Sequence, residues 1–183
     1  MNAFDGSPKE IFWSLIRNRS LLYRLINREV VGRYKGSFLG IFWSLITPIF
    51  MLSVYTFIFS EVFKSRWGVE NGSQVEFALI VFPGLLLYNL FAEVINISPV
   101  LIQANSNYVK KVVFPLEILP WVKICAGLFH FLIGILVWLV AYYFLRGGPS
   151  IGILISPFII MPFAIFIAGI SWFLASIGVY VKD

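Results

Sequence analysis

The stretch Ile124–Leu145 reads ICAGLFHFLIGILVWLVAYYFL, and it holds 22 residues without one Asp, Glu, Lys or Arg. Two other stretches share this property, Gly36–Ser60 with 25 residues and Gly147–Val181 with 35. The hydrocarbon core of a bilayer is about 30 Å thick, and a helix needs about 20 apolar residues to cross it. These stretches therefore predict an all-α, polytopic membrane helical bundle.

The overall composition agrees with a membrane protein. Of the 183 residues, 60% are hydrophobic and 13% are charged, and the mean hydropathy is +0.89, whereas about a quarter of the residues in a soluble domain are charged. The single cysteine, Cys125, excludes an intramolecular disulfide and has no companion ligands for a metal. The net charge of +5 favours contact with anionic membrane lipid over nucleic acid in so apolar a chain.

The chain divides into an N-terminal segment, residues 1–35, and a transmembrane domain, residues 36–183. Within the first segment, apolar and basic side chains of residues 20–35 recur at helical spacing, which predicts an amphipathic helix on the membrane surface. Four spans are predicted in the second, at residues 38–62, 77–99, 122–145 and 151–181.

Lys and Arg are distributed unevenly around these spans. With the N-terminus in the cytoplasm, eleven of the 14 lie inside, and three lie outside, namely Lys64, Arg66 and Arg146. The positive-inside rule therefore predicts that both termini are cytoplasmic. It places the polar segment 100–121, between the second and third spans, on that same side.

No signature of a soluble enzyme is present. The chain lacks the phosphate-binding pattern Gly-x-x-x-x-Gly-Lys-Ser/Thr, and its acidic residues are too scattered to propose a catalytic carboxylate pair. We therefore predict no catalytic residue here, and energy for any transport would come from an ion gradient or from another subunit.

Two polar residues inside predicted spans have alternative interpretations. Glu93 shares a helix face with Asn89 and Asn96. It could serve a proton or ion relay or line a path for a hydrophilic substrate, or it could pair with a basic group. Since no second buried acid supports a relay, pairing is favoured. For His130, a structural hydrogen bond to a neighbouring helix is favoured over chemistry.

Aromatic residues recur every seven positions on the first span, at Trp43, Phe50 and Phe57, with Tyr55 beside them. Such a face could stack against sugar rings, or it could face lipid and pack against other helices. Judged on the first span alone, the second interpretation is favoured.

Small residues recur at spacings of four and three on the fourth span. This stripe predicts close approach of another helix, and it consists of Ala164, Ala168, Ser171, Ala175 and Gly178.

Two longer stretches carry a family resemblance. The first comprises LYRL (22–25), REV (28–30) and RYKGSFLG (33–40) with Trp43 and Pro48, and the second comprises FPGL (82–85) and NSNYVKKVVFPLEILP (105–120). They resemble the membrane subunit of ABC exporters that move O-antigen, capsular or teichoic-acid polysaccharides, and are closest to the O-antigen branch. The resemblance covers about residues 20–183.

The resemblance implies a permease subunit of an ATP-driven exporter in the bacterial inner membrane. It would act as a homodimer with two cytoplasmic ATP-binding-cassette subunits, and its substrate would be a lipid-linked polysaccharide. ATP and Mg would bind to the partner, so this chain would hold no cofactor.

The resemblance also implies roles for individual residues. The segment that couples to the ATPase would comprise Asn105, Asn107, Tyr108, Lys110, Lys111, Phe114, Pro115 and Glu117. The interface helix would contribute Arg24, Arg28, Arg33, Tyr34 and Lys35. The substrate channel would be lined partly by Trp43, Phe50, Tyr55 and Phe57. We further predict that Glu117 pairs with a basic group of the interface helix, Arg28 or Arg33.

The family fold has six spans, whereas this sequence shows four, so we expect the C-terminal spans to be absent. Two alternatives to the polysaccharide exporter stay open. One is an ABC exporter of a small lipid or drug, and the other is a four-span scaffold or channel without an ATPase partner. An integral-membrane enzyme would need an acid or base pair, and the chain offers only the isolated Glu93 and His130.

Overall fold

The structure, a computed structural model, describes residues 8–59, 74–106, 115–148 and 152–180. These residues are almost entirely helical. The helices are α1 (Pro8–Arg17), α2 (Arg19–Gly32), α3 (Trp43–Phe57), α4 (Gln74–Ile97), α5 (Leu101–Ala104), α6 (Ile118–Arg146) and α7 (Gly152–Tyr180). Short 3₁₀ turns at Gly40–Phe42 and Ser98–Val100 precede α3 and α5.

Within the described residues, four helical segments are long and apolar enough to cross a bilayer, which agrees with the four predicted spans. They cover Gly40–Phe57, Phe77–Ala104, Ile118–Arg146 and Pro157–Tyr180. The second runs past the predicted end at residue 99, because the 3₁₀ turn and α5 continue it. The third begins at Ile118 instead of residue 122, so less of segment 100–121 lies between helices than the sequence suggested.

The amphipathic helix α2 ends at Gly32, three residues before the predicted end at Lys35. The backbone N–H groups of Tyr34 and Lys35 bond to carbonyls three residues earlier, which is the pattern of tight turns. Gly36 then adopts a left-handed conformation, with φ of 89°, which favours glycine. This turn redirects the chain from α2 into the first span.

The main core lies between α4, α6 and α7. Every fourth residue of α4 from Phe82 to Val94 is buried there, against Ile124 and Phe131 of α6 and Ile167 of α7. Leu90 fills the space where a side chain at Gly127 would lie, since a Cβ atom there would come within 2.6 Å of its Cδ1 atom. Glycine at this position of α6 therefore allows α4 to approach closely.

The predicted small-residue stripe is confirmed as a packing surface. All five of its residues on α7 are buried. Ala164 and Ala168 pack in the main core, and the C-terminal part of the stripe packs against the end of the second span. The hydroxyls of Ser98 and Ser171, both fully buried, are hydrogen-bonded at 2.6 Å. Gln103 donates a side-chain hydrogen bond to the carbonyl of Gly178.

A second, smaller apolar cluster joins the N-terminal helices to the start of α6. Leu25 of α2 and Ile118 and Val122 of α6 are buried in it, and further apolar residues of α1 and α2 surround them. The amphipathic helices are thus attached to the residues that directly follow segment 105–117.

Candidate coupling surface and polar cavity

Helix α2 and the turn that follows it make polar contacts with the described parts of the spans. Glu29 pairs with Lys123 of α6, and Arg33 pairs with Glu93 of α4. The Tyr34 hydroxyl lies 3.2 Å from Nδ1 of His130 on α6, and the two rings meet edge to face. Glu29 and Arg33 are four residues apart, so they point from the same face of the chain.

The pairing interpretation of Glu93 is therefore confirmed, because the structure gives this carboxylate a basic partner. His130 likewise has a structural hydrogen-bond partner, although that partner lies in the turn after α2 and not on another span. Burial raises the pKa of Tyr34 above its usual value despite the opposing charge of Arg33. Its hydroxyl therefore stays protonated near neutral pH and can donate to the His130 nitrogen.

These residues surround a cavity of about 320 Å³ between the turn after α2 and helices α3, α4 and α6. Its wall is amphipathic. Apolar lining comes from Pro48, Met51, Leu86, Leu90 and Phe131. Polar lining comes from Arg33, Tyr34, Thr47, Asn89, Glu93 and His130. Thr47 of α3 and Asn89 of α4 are both exposed, so the cavity opens outward between these two spans.

Glu117 is hydrogen-bonded to a residue that was not predicted as its partner. Its carboxylate accepts a hydrogen bond of 2.6 Å from the hydroxyl of Ser14 on α1, while Arg33 is paired with Glu93. The predicted pairing of Glu117 with Arg33 is therefore wrong, whereas its pairing with Arg28 stays a prediction. Glu117 also connects to the fourth span, because its backbone carbonyl accepts a hydrogen bond of 3.1 Å from the Trp172 indole.

Sequence reasoning did not single out Ser14. The only signal was a hydroxyl residue flanked by apolar side chains in the first helical segment. In the structure Ser14 is 1% exposed, and a buried hydroxyl needs a hydrogen-bond partner. Glu117 supplies it from 103 positions away.

The predicted ATPase-coupling residues lie only partly within the described residues. Asn105 follows the end of α5, where its side chain donates a hydrogen bond of 2.8 Å to the Leu101 carbonyl. On the other side, the Pro115 carbonyl accepts a hydrogen bond from the Ile118 backbone N–H as α6 begins. Asn107, Tyr108, Lys110, Lys111 and Phe114 lie outside the described residues.

The five predicted interface-helix residues divide into two groups. Arg24, Arg28 and Lys35 are exposed on the outer side. Arg33 and Tyr34 instead contact α4 and α6 through the pairs described above. The outward group suits a charged surface such as lipid headgroups or another protein, whereas the inward group attaches α2 to the bundle.

The predicted channel residues also fall into two groups, which differ in how exposed their side chains are. Trp43, Phe50 and Phe57 form a stripe along α3 whose members are 42%, 68% and 62% exposed. Tyr55 is half-buried, stacks on Phe59 and packs against the main core. The stripe remains a predicted channel surface, and Tyr55 is oriented toward the bundle interior.

Comparison with known proteins relates this architecture to a family. The sequence profile of ABC-2 type transporters matches residues 20–183. The O-antigen export system permease protein RfbA of Myxococcus xanthus is 28% identical over 169 residues, covering 92% of this chain and 62% of that protein. A protein of the same name from Klebsiella pneumoniae is 30% identical over 165 residues, covering 89% and 61%.

The chain thus spans about three fifths of the length of these curated relatives. The profile match covers all four membrane-spanning helices and α2. The chain is a multi-pass membrane protein that belongs to the ABC-2 type transporter family.

Proposed function

We propose that this chain is the permease subunit of an ATP-driven exporter that moves a lipid-linked polysaccharide of the O-antigen type across the cytoplasmic membrane. The observation that carries the proposal is the alignment of 92% and 89% of the chain with two proteins named as O-antigen export permeases. Family membership supports transport as the general role.

The energy would come from a separate ATP-binding-cassette subunit, which binds ATP and Mg. The sequence itself has no phosphate-binding loop, so ATP hydrolysis at a site of that type requires a partner. The permease would act as a homodimer. Its N-terminus would lie in the cytoplasm, which is the orientation that the distribution of Lys and Arg favours.

The partner would bind at the segment from Asn105 to Phe114. This segment follows α5 at the end of the second span, and after a few further residues the chain enters α6 and the third span. A displacement of the segment therefore acts on two spans directly. Lys110 and Lys111 offer adjacent cations for an acidic surface of the ATPase, and Phe114 offers an apolar contact.

The N-terminal helices would move together with the start of α6. Three kinds of contact support this: the hydrogen bond from Ser14 to Glu117, the apolar contacts of Leu25 with Ile118 and Val122, and the pair of Glu29 with Lys123. Because packed interfaces move as rigid bodies more readily than they deform, the ATPase would displace α1, α2 and α6 as one unit.

The exposed aromatic stripe of α3 would line the path of the polysaccharide between two copies of the subunit. The first span is the least buried of the four, with 17% of its residues buried against 28–33% in the others. It therefore has the most surface available to a second copy or to a substrate.

The proposal is tested by deleting the gene in its host and measuring where the polysaccharide accumulates. Deletion should leave lipid-linked polysaccharide inside the cell, and the wild-type gene should restore it to the surface. The double variant Lys110→Glu with Lys111→Glu should not restore it.

A matched control reverses two cations in the loop between the first and second spans, with Lys64→Glu and Arg66→Glu. Because one helix separates this loop from segment 105–114, the two lie on opposite sides of the membrane. The control variant should restore export. Surface polysaccharide that persists after deletion would contradict the proposal, and ATPase activity stimulated only by a small lipid or drug would favour that alternative exporter.

A further inference from the structure

The cavity beside the turn after α2 contains an ion pair that the proposed coupling does not use. Arg33 and Glu93 pair at its wall, and their side chains are 43% and 34% exposed. Exposed ion pairs contribute little to stability, so little is lost if the two groups contact a ligand instead. A guanidinium group has five N–H donors, and the pair with Glu93 engages Nη2.

The charge of the cavity limits which ligand it can accept. One guanidinium and one carboxylate lie side by side, so the two charges cancel. An anionic ligand would be attracted by Arg33 and repelled by Glu93. A cationic ligand would be attracted by Glu93 and repelled by Arg33. A ligand that carries both charges a few ångströms apart satisfies both groups at once.

The position of the cavity indicates where such a ligand comes from. Arg33 lies seven residues before the first span begins at Gly40, in the turn that joins the amphipathic helix to that span. Because α2 is predicted to lie on the membrane surface, we expect this turn at the level of the lipid headgroups. The opening between Thr47 and Asn89 lies between α3 and α4, beside the exposed side chains of Phe50 and Tyr88, and the apolar part of the wall suits the glycerol and acyl region.

We propose that this cavity binds the headgroup of a membrane phospholipid that carries a phosphate and a primary ammonium, as in phosphatidylethanolamine. The phosphate accepts hydrogen bonds from the Arg33 guanidinium, whose fork geometry fits two phosphate oxygens. The ammonium donates to the Glu93 carboxylate. The bound lipid thereby fills the space between α2, α3 and α4 and connects the amphipathic helix to the first two spans.

The chemistry distinguishes this headgroup from its relatives. Phosphatidylglycerol offers the phosphate without a cation, so Glu93 repels it. Phosphatidylcholine has a cation but no N–H donor, so it cannot hydrogen-bond to the Glu93 carboxylate. The cavity should therefore prefer phosphatidylethanolamine to both, and the preference over phosphatidylglycerol should depend on Glu93. This inference does not rest on the proposed export function.

The test is native mass spectrometry of the purified full chain with each of the three lipids added at matched concentrations. We expect one phosphatidylethanolamine molecule to bind about tenfold more tightly than phosphatidylglycerol, as a charge-assisted hydrogen bond would give. Arg33→Gln should weaken the binding of both phosphatidylethanolamine and phosphatidylglycerol about tenfold. Glu93→Gln should weaken the binding of phosphatidylethanolamine and abolish the protein's preference for this lipid over phosphatidylglycerol.

Glu29→Gln is the matched control, because it breaks an ion pair of the same helix outside the cavity. Its lipid preference should equal that of the wild type, and thermal unfolding of every variant shows whether it is folded. Equal binding of all three lipids, or a preference that survives Glu93→Gln in a folded protein, would overturn the proposal. The proposal would also be overturned if Glu29→Gln lost the preference for phosphatidylethanolamine to the same extent as Glu93→Gln.

Discussion

Substitution of Gly178 by alanine should separate the fourth span from the end of the second. A Cβ atom at Gly178 would lie 1.8 Å from the backbone oxygen of Pro99, and 2.6 Å and 2.8 Å from two further backbone atoms of that residue. Because these neighbours are backbone atoms, no side-chain rotation relieves the overlap. Real Cβ contacts begin at 3.0 Å, so the two segments must separate by about 1.2 Å.

The energetic cost follows from what this separation disturbs. Overpacking of this kind costs about 1–3 kcal/mol. The buried hydrogen bond between Ser98 and Ser171 is 2.6 Å long, and stretching it by a similar distance takes it beyond hydrogen-bonding range, which costs about 1–3 kcal/mol for buried groups. Alanine gains about 0.5–1 kcal/mol of helix propensity over glycine, which leaves a net loss of about 1–5 kcal/mol.

The assay is thermal unfolding of the purified protein in detergent, with Gly169→Ala as the control. Gly169 lies on the same helix, and a Cβ atom there meets nothing within 4 Å, so its substitution should be neutral or slightly stabilising. Gly178→Ala should lower the Tm by several degrees, since a loss of 1 kcal/mol corresponds to about 2–4 °C in a chain of this length. If the two variants unfold at the same temperature, the close contact between α7 and Pro99 does not exist as described.

Three further predictions concern the attachment of α2. Glu29→Lys and Lys123→Glu should each destabilise the protein by about 1 kcal/mol. In a double-mutant cycle, the variant that carries both exchanges should recover most of that loss. If the two losses simply add, the pair does not interact. Leu25→Ala should cost about 2–4 kcal/mol in the same unfolding assay, since it leaves a cavity against α6, and no change would show that this cluster is absent. Burial raises the pKa of Tyr34 above 10.0, so the folded state holds that proton more tightly than the unfolded state. The resulting stability is present below pH 10 and is lost as the pH rises through the folded pKa. Tyr34→Phe should remove this loss when the free energy of unfolding is measured against pH. If the variant shows the same pH dependence as the wild type, the raised pKa of Tyr34 is not its cause.

Much of the architecture could be predicted from the sequence because a bilayer imposes simple requirements. Apolar stretches of sufficient length, three of them uncharged and one containing Glu93, indicated the number of spans. The spacing of Ala164, Ala168, Ser171, Ala175 and Gly178 indicated the packing face of the fourth. The small residues were informative because they stand out among large ones. Where large apolar residues cover most sides of a span, as on α4, the pattern does not show which apolar side is buried, and the row from Phe82 to Val94 became evident only in the structure.

The polar contacts could be predicted only in part. A charge inside a span needs a partner, so a basic group near Glu93 could be expected. Which carboxylate Arg33 meets depends on the rotation of α2 about its axis and on the end of that helix at Gly32, and neither is encoded in a short pattern. Ser14 and Glu117 are even harder to connect, because their contact requires α1 to fold back onto the start of α6.

The proposed function depends on the binding of an ATP-driven partner to segment 105–114, and copurification measures this binding. The tagged protein should be isolated from its host membrane as wild type, as Lys110→Glu with Lys111→Glu, and as Lys64→Glu with Arg66→Glu. An ATP-binding-cassette subunit should accompany the wild type and the second double variant but should be lost from the first. Recovery of that subunit with all three proteins, or with none of them, would contradict the proposed binding.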